Sequence, residues 1–335
     1  EGVTADARYA GNISGQGNVS IDLKNPGITL ALSGNNTFSG TKTLQSGGLI
    51  GETASSLGDT ATNKWLVKAD AWIASQAESG ESLLARVDSG STGTLALSQN
   101  TEKQLNLSNH TGLFIGAESG KVVEYGAAGT TEELAAVNGA WRLGGGGGDL
   151  IVNYLLTGNN NLMLGAGEQS SGSVHLSNTG NDFTGNIIFN STGIRFSYDD
   201  GALGGALVGL TYGNGMLLSS GGSLGNIKTD SAGMALVDAL TTGEIDMTSH
   251  TLLALGASRD SVYGGDIVVG AEQAYRFATM NGATLFLNST LAAGHDVIVD
   301  GQGGAGGTVV LGGAAAVDGT VTVMGHKEGA QGDIT

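Results

Sequence analysis

The sequence predicts an all-β chain wound into a parallel β-helix, a β-solenoid of about fifteen coils with a few protruding loops. Three observations carry this. The first is a degenerate repeat. Residues 30–58 hold Leu30-Ala-Leu-Ser-Gly-Asn-Asn-Thr-Phe38-Ser-Gly40, then Leu44, Leu49 and Leu57-Gly58. Residues 174–204 hold Val174-His-Leu-Ser-Asn-Thr-Gly-Asn-Asp-Phe183-Thr-Gly185, then Phe189, Ile194 and Leu203-Gly204. Such a unit cannot bury its apolar face alone and must stack on neighbours. The second is composition: 60 Gly in 335 residues, one Pro and no Cys. Glycine suits a chain that turns often through positive φ, and absent proline leaves nearly every N–H for ladder bonds. The third is spacing, because β-rich runs recur at roughly eight to twelve residues, separated by Gly, Asn, Ser, Asp and Thr.

Taken in order, the runs begin with Val19–Leu23, Ile28–Leu32, Lys42–Leu44, Leu49–Glu52 and Trp65–Lys68. Leu83–Val87, Thr94–Leu97, Gln104–Leu107, Leu113–Ile115 and Val122–Tyr125 follow. The middle of the chain gives Leu150–Leu156, Asn161–Leu164, Ser173–Leu176, Asn186–Phe189, Ile194–Tyr198 and Leu207–Thr211. The last third gives Met216–Ser219, Gly225–Lys228, Glu244–Met247, Leu252–Leu255, Asp266–Val269, Tyr275–Ala278, Thr284–Leu287, Asp296–Val299, Thr308–Leu311 and Thr320–Val323. Helical pattern is confined to Thr131–Val137 and Ser231–Leu240. Residues 1–335 read as one continuous β-helix segment of a larger protein, with no Pro-rich or charged linker. Residues 126–149, holding Trp141-Arg142 and the run Gly144–Gly148, are expected to protrude as a loop. Ala54–Asn63 and Thr229–Gly243 are smaller candidates. Asn35-Asn36 and Asn159-Asn160-Asn161 could stack from coil to coil as amide ladders.

The formal net charge is −17, which disfavours nucleic acid and anionic membrane surfaces as partners. Absent cysteine excludes disulfides and thiol chemistry. The chain starts at Glu1 without a basic n-region or an apolar h-region, as expected of a mature or excised segment. The most apolar stretch, Leu203–Leu218, is too short and too broken by glycine to span a bilayer.

The pattern Leu-x-Leu-Ser-Gly-x-Asn-Thr-Phe-x-Gly-x-x-x-Leu, followed by Gly48-Leu49 and Leu57-Gly58, resembles the passenger-associated repeat of Gram-negative autotransporters. It is similar to the unit of their self-associating and diffuse-adherence adhesins. The resemblance covers about thirty residues, with a weaker copy at 174–204. It implies a right-handed β-helix, export through an outer-membrane barrel that would follow Thr335, and display on the cell surface.

Local chemistry is sparse. Val87-Asp88-Ser89-Gly90-Ser91 has the look of a serine-protease nucleophile region, but the first histidine is His110, on the wrong side in chain order, and Asp-Ser-Gly reads as a turn. Gly144-Gly145-x-Gly147-x-Asp149-x-Ile151 fits one calcium nonapeptide, without the tandem copies that would complete a coordination shell. His110, His175, His250, His295 and His326 are scattered without zinc spacing. Asp199-Asp200 would point to opposite sides of an extended chain. No catalytic residue, cofactor or metal is therefore expected. Candidate partner-binding residues are Trp141, Arg142, Asn159, Asn160, Asp199 and Asp200, with core filling an equal reading for Trp141.

The expected function is adhesion through the polar faces of a rigid rod. The partner would be a host surface protein or glycan, or an identical passenger on another cell, giving aggregation and biofilm. The alternatives are a polysaccharide-active β-helix enzyme and a passive stalk presenting a distal domain.

Overall fold

The computed structural model describes residues 6–25, 27–58, 63–218, 222–280, 282–301, 307–313 and 319–324. His326 and part of the Ala54–Asn63 segment lie outside them. The chain is a β-solenoid of about 14 turns, and every strand pairing is parallel. Side chains alternate across each strand, so one set points into the coil and the other outward.

Two long ladders dominate. The first contains 12 strands and climbs from Ala7–Tyr9 through Thr29–Leu32, Lys42–Gly51, Ala71–Ser75, Thr94–Leu97, Phe114–Ala117, Ala140–Leu143, Asn161–Leu164 and Asn186–Phe189 to Leu207–Gly209. Val19–Asp22 and Trp65–Val67 flank the start of Lys42–Gly51. The second contains 10 strands. It climbs from Val122–Tyr125 through Asp149–Val152, Ser171–Leu176, Gly193–Tyr198, Gly215–Leu217, Met234–Leu236, Ala254–Ala257, Tyr275–Thr279 and Val297–Asp300 to Val321–Met324. Two short ladders, Glu244–Asp246 with Asp266–Val268, and Ser261–Tyr263 with Thr284–Leu287 and Thr308–Leu311, close the C-terminal turns.

Register aligns the inward side chains into columns. Leu49, Ile73, Leu95, Ile115, Leu143 and Leu164 stack in the first ladder, each at most 2% exposed. Leu150, Val174, Phe196, Met216, Ala235, Leu255 and Phe277 stack in the second, all 0% exposed. Each buried Leu, Ile or Phe contributes about 1.5–3 kcal/mol, and no turn holds enough of them to stand alone.

The structure extends the repeat seen in the sequence and reveals a tandem duplication. Asn36 accepts from Ile13 N and donates to Ser56 O; Asn181 accepts from Leu156 N and donates to Ala202 O. Ser91 Oγ accepts from Val67 N, and Ser231 Oγ from Leu210 N. His110 Nε2 meets Val87 O at 3.1 Å, and His250 Nε2 meets Ile227 O at 3.0 Å. Trp65 bridges Val87 as Val208 bridges Ile227. The two copies, about 30–117 and 174–257, hold the same internal brackets. They do not occupy the same faces. Thr94–Leu97 belongs to the first ladder, whereas its counterpart Met234–Leu236 belongs to the second. The second copy is turned about the rod axis by one face.

The segment expected to protrude does not. Ala140–Leu143 is a strand of the first ladder and Asp149–Val152 one of the second. Gly144–Gly148 joins them as a corner lying flat on strands Thr94–Leu97 and Phe114–Ala117. Thr94 Oγ1 donates to Gly144 O at 3.4 Å. Gly144, Gly145, Gly146 and Gly147 all have positive φ, from 83° to 106°. A Cβ on Gly146 would sit 2.4 Å from Ala117 O, and one on Gly145 would sit 2.4 Å from Thr94 Oγ1. Only glycine fits this corner. What remains of the excursion, Ala127–Asn138, folds back onto neighbouring turns. Gln104 Nε2 donates to Glu133 O, Gln104 Oε1 accepts from Ala135 N, and Asn178 Nδ2 donates to Thr130 O.

Those bonds explain why Thr131–Val137 is not helical. Ser231–Leu240 is not helical either, because Met234–Leu236 completes a ladder column, so Thr229–Gly243 carries a strand instead of a loop. The one helix among the described residues is Gly80–Leu84, which takes in the start of the expected β-run Leu83–Val87. Ser79 caps it by accepting from Ser82 N.

Candidate functional site

Outward side chains of a ladder form rows at the strand pitch of about 4.8 Å. On the first ladder the outward positions Ile50, Trp72, Ala74 and Ala96 form an apolar cluster. Asp70 closes one end of it: its Oδ1 accepts from Gln169 N at 3.4 Å, and Gly167 packs against Ala69 and Asp70. On the second ladder Leu217, Met234, Leu236, Ala254, Ala278 and Met280 form the equivalent cluster. There the Tyr212 hydroxyl donates to Asp300 Oδ1 at 2.8 Å. The Tyr212–Asp300 contact crosses four strand spacings, about 19 Å in a flat sheet, so the second ladder curls toward its outer side. On the first ladder the connection after Asn161–Leu164 reaches back to Asp70 instead. Burial, then Asp300, pushes the Tyr212 phenol up to about 12.

The lower part of the second ladder is different. Its outward rows are Val122, Asp149, Ser173 and Arg195 on one line, and Glu124, Ile151, His175 and Ser197 on the other. All but Glu124, together with Leu217, Leu236, Asp238, Ser258 and Arg259, line an open cleft of about 300 Å³. Asp149 Oδ1 accepts from Ser173 Oγ at 2.5 Å and from Arg195 Nη2 at 3.3 Å. His175 Nδ1 meets Ser197 Oγ at 2.9 Å, and its Nε2 meets Asp199 Oδ1 at 3.3 Å. Asp238 accepts from the backbone and hydroxyl of Ser258, while Arg259 Nη2 donates to Asp238 O at 3.3 Å. The cleft is thus a hydrogen-bonded lattice with charges of both signs.

Ser197, His175 and Asp199 are connected in the order nucleophile, base, acid. Three features argue for a polar ladder over a catalytic triad. The ring presents Nδ1 to the serine, Asp199 is half-exposed, and the backbone of Gly193–Tyr198 pairs along its whole length with Ser171–Leu176.

The sequence-predicted residues are scattered over the rod. Trp141 is 3% exposed; it donates from Nε1 to Leu134 O at 2.8 Å and packs edge-on against Phe183. It is part of the core, the second of the two readings its sequence position allowed. Arg142 donates to Val137 O at 3.1 Å, with burial holding its pKa below the ordinary arginine value. A cavity of about 20 Å³, the size of one water, lies beside them under Leu134 and His110. Asn159 is exposed, and Asn160 donates to Thr157 O within its own turn. Both precede a first-ladder strand, away from the cleft. Asp199 enters the cleft through His175; Asp200 lies in the turn beyond, exposed. Among the expected amide ladders, Asn161 Oδ1 accepts from Asn186 N at 2.9 Å, and Asn12 Oδ1 accepts from Asn35 N at 2.7 Å.

Sequence reading missed Asp149 as a partner of Arg195, set His175 aside as one of five scattered histidines, and missed Ser197, Asp238 and Arg259 altogether. They come from turns about 20–24 residues apart. Only the register, once known, joins them. Among the described residues no cluster of His, Cys, Asp or Glu has metal-holding geometry, and no helix is long and apolar enough to cross a membrane. No family model, no curated protein and no solved structure matches the chain.

Proposed function

We propose that this chain is the rod of an autotransporter passenger, exported through an outer-membrane barrel and displayed on the bacterial surface as an adhesin. The observation that carries the reading is an unbroken β-solenoid of about 14 turns with polar outward rows on its flank. The passenger-like repeat of residues 30–58 supports the export route. A rigid rod repeats weak polar contacts along its length, and repetition converts them into avidity. The partner is a host surface molecule or an identical rod on a neighbouring cell. The rod acts by binding, without catalysis, cofactor or metal.

Display of residues 1–335 on a non-adherent bacterium through a heterologous barrel tests this. Cell sedimentation, biofilm mass and host-cell attachment should rise over an empty barrel. If rods bind one another, aggregation should strengthen with added salt, because a net charge of −17 on each rod is screened over about 10 Å at 0.1 M. Unchanged values in all three assays would favour the passive stalk.

A further inference from the structure

We propose that the cleft on the lower second ladder is the binding site for a neutral, hydroxyl-rich glycan chain. The proposal rests on the adhesin reading and names the ligand class and the face. Charge is the first argument. The molecule carries 31 acidic and 14 basic residues. In this cleft the balance is restored: Asp149 and Asp238 stand beside Arg195 and Arg259. A surface that balances its charges has no preference for a cation or an anion.

Hydrogen-bonding capacity is the second argument. Arg195 spends one nitrogen on Asp149 at the long distance of 3.3 Å and is 45% exposed, so the rest of its fork faces solvent. The carboxylate of Asp149, 44% exposed, offers acceptors 3.3 Å from that donor, and that of Asp199, 54% exposed, offers acceptors beside His175. A sugar hydroxyl gives and accepts at once, and paired acidic and basic groups satisfy both halves. The lattice of serine and carboxylate bonds fixes these groups in place before a ligand arrives, which lowers the ordering cost of binding.

Shape is the third. The rows climb the axis at a fixed pitch from Val122 to Leu217, so the cleft suits an extended polymer lying along the rod. Val122 at 63% exposure, with the half-buried Ile151 and Leu217, provides apolar patches for the C–H faces of sugar rings. Beyond Gly215, where a Cβ would meet the Leu236 side chain, the cleft continues along Asp238, Ser258 and Arg259 beside the apolar part of the same ladder.

The test uses titration calorimetry of the whole chain against malto-, cello- and xylo-oligosaccharides, with oligogalacturonate as the acidic arm. Binding of at least one neutral chain is expected. Arg195→Ala and Asp149→Ala should each weaken it at least tenfold at unchanged melting temperature, while Arg8→Ala, on the first ladder, should leave it unaltered. Binding of oligogalacturonate alone overturns the neutral assignment. Neutral binding that survives both cleft variants overturns the site. Ester hydrolysis that disappears in Ser197→Ala would overturn a pure binding role. Adhesion of displayed rods without any glycan binding overturns this site yet leaves the adhesin reading standing.

Discussion

The two copies of the duplicated block share their internal brackets and differ in what they do with their outer faces. In the first copy the outward cluster of Trp72, Ala74 and Ala96 is covered by the glycine corner and closed through Asp70. In the second, smaller and more flexible side chains fill the same role, and Tyr212 closes the end. The corner that covers copy one also carries the chain into the polar cleft, most of whose residues belong to copy two. The lesson is that a solenoid conserves what lies inside and at its turns, while its outside is free to become apolar and closed, or polar and open.

Removing a matched core aromatic tests the equivalence most severely. Phe38 packs edge-on against Trp65, and Phe183 against Trp141, with exposures of 1% and 0%. Phe38→Ala and Phe183→Ala should each cost about 3–5 kcal/mol in chemical denaturation. Hydrogen exchange should show each loss confined to its own copy and adjoining turns, as expected where turns contact only neighbours. Spread of either loss across the whole rod would mean that the copies fold as one cooperative unit.

The corner comes next. Gly146→Ala places a Cβ against Ala117 O at positive φ. A cost of about 2–3 kcal/mol is expected from the left-handed backbone and the clash together. Gly243→Ala, with positive φ but open space around it, should cost no more than about 1–2 kcal/mol. Equal costs at the two sites would refute the tight fit of the corner.

The matched brackets should give matched, smaller effects. Asn36→Ala and Asn181→Ala each strand buried backbone groups and should cost about 1–3 kcal/mol, the same in both copies. A difference much beyond that range would show that similar bonds do dissimilar jobs.

The smallest effect separates the two closures. Tyr212→Phe removes one hydrogen bond to a carboxylate, about 1.5 kcal/mol or less at this half-exposed site. The sign with pH follows from the raised phenol. Its contribution is complete below the ordinary tyrosine value near 10 and is lost as pH rises toward about 12. Alkaline melting curves of Tyr212→Phe should lack that portion of the decline between pH 10 and 12. An identical decline would place it on Tyr154 and Tyr263, whose phenols are also pushed up to about 12 by burial.

Sequence periodicity disclosed the solenoid and the first part of each copy, because Phe38 and Phe183, and Gly40 and Gly185, keep one offset. It lost the copies beyond Gly204 for a physical reason. The offset drifts from 145 between Phe38 and Phe183 to 140 between His110 and His250, as turns shorten without harm to the ladder. The anchors Leu49 and Ile194 also misled. Leu49 pairs with Leu30, but Val174 pairs with Phe196, so the second copy's strand runs longer before reaching its column. The glycine corner read as a loop because a pattern of side chains is silent where there are none. The cleft was illegible for the opposite reason: its residues are ordinary, and only stacking makes them neighbours.

The glycine corner has one more consequence, for the order of assembly. Most of the rod can zip as the chain emerges, since a new rung such as Leu30 needs only a strand about 23 residues behind it. The corner cannot be laid down that way. Gly144 O accepts from Thr94, which precedes it by 50 residues, about twice the usual step. A zipper arriving from the C-terminal end must wait there until two earlier turns are delivered.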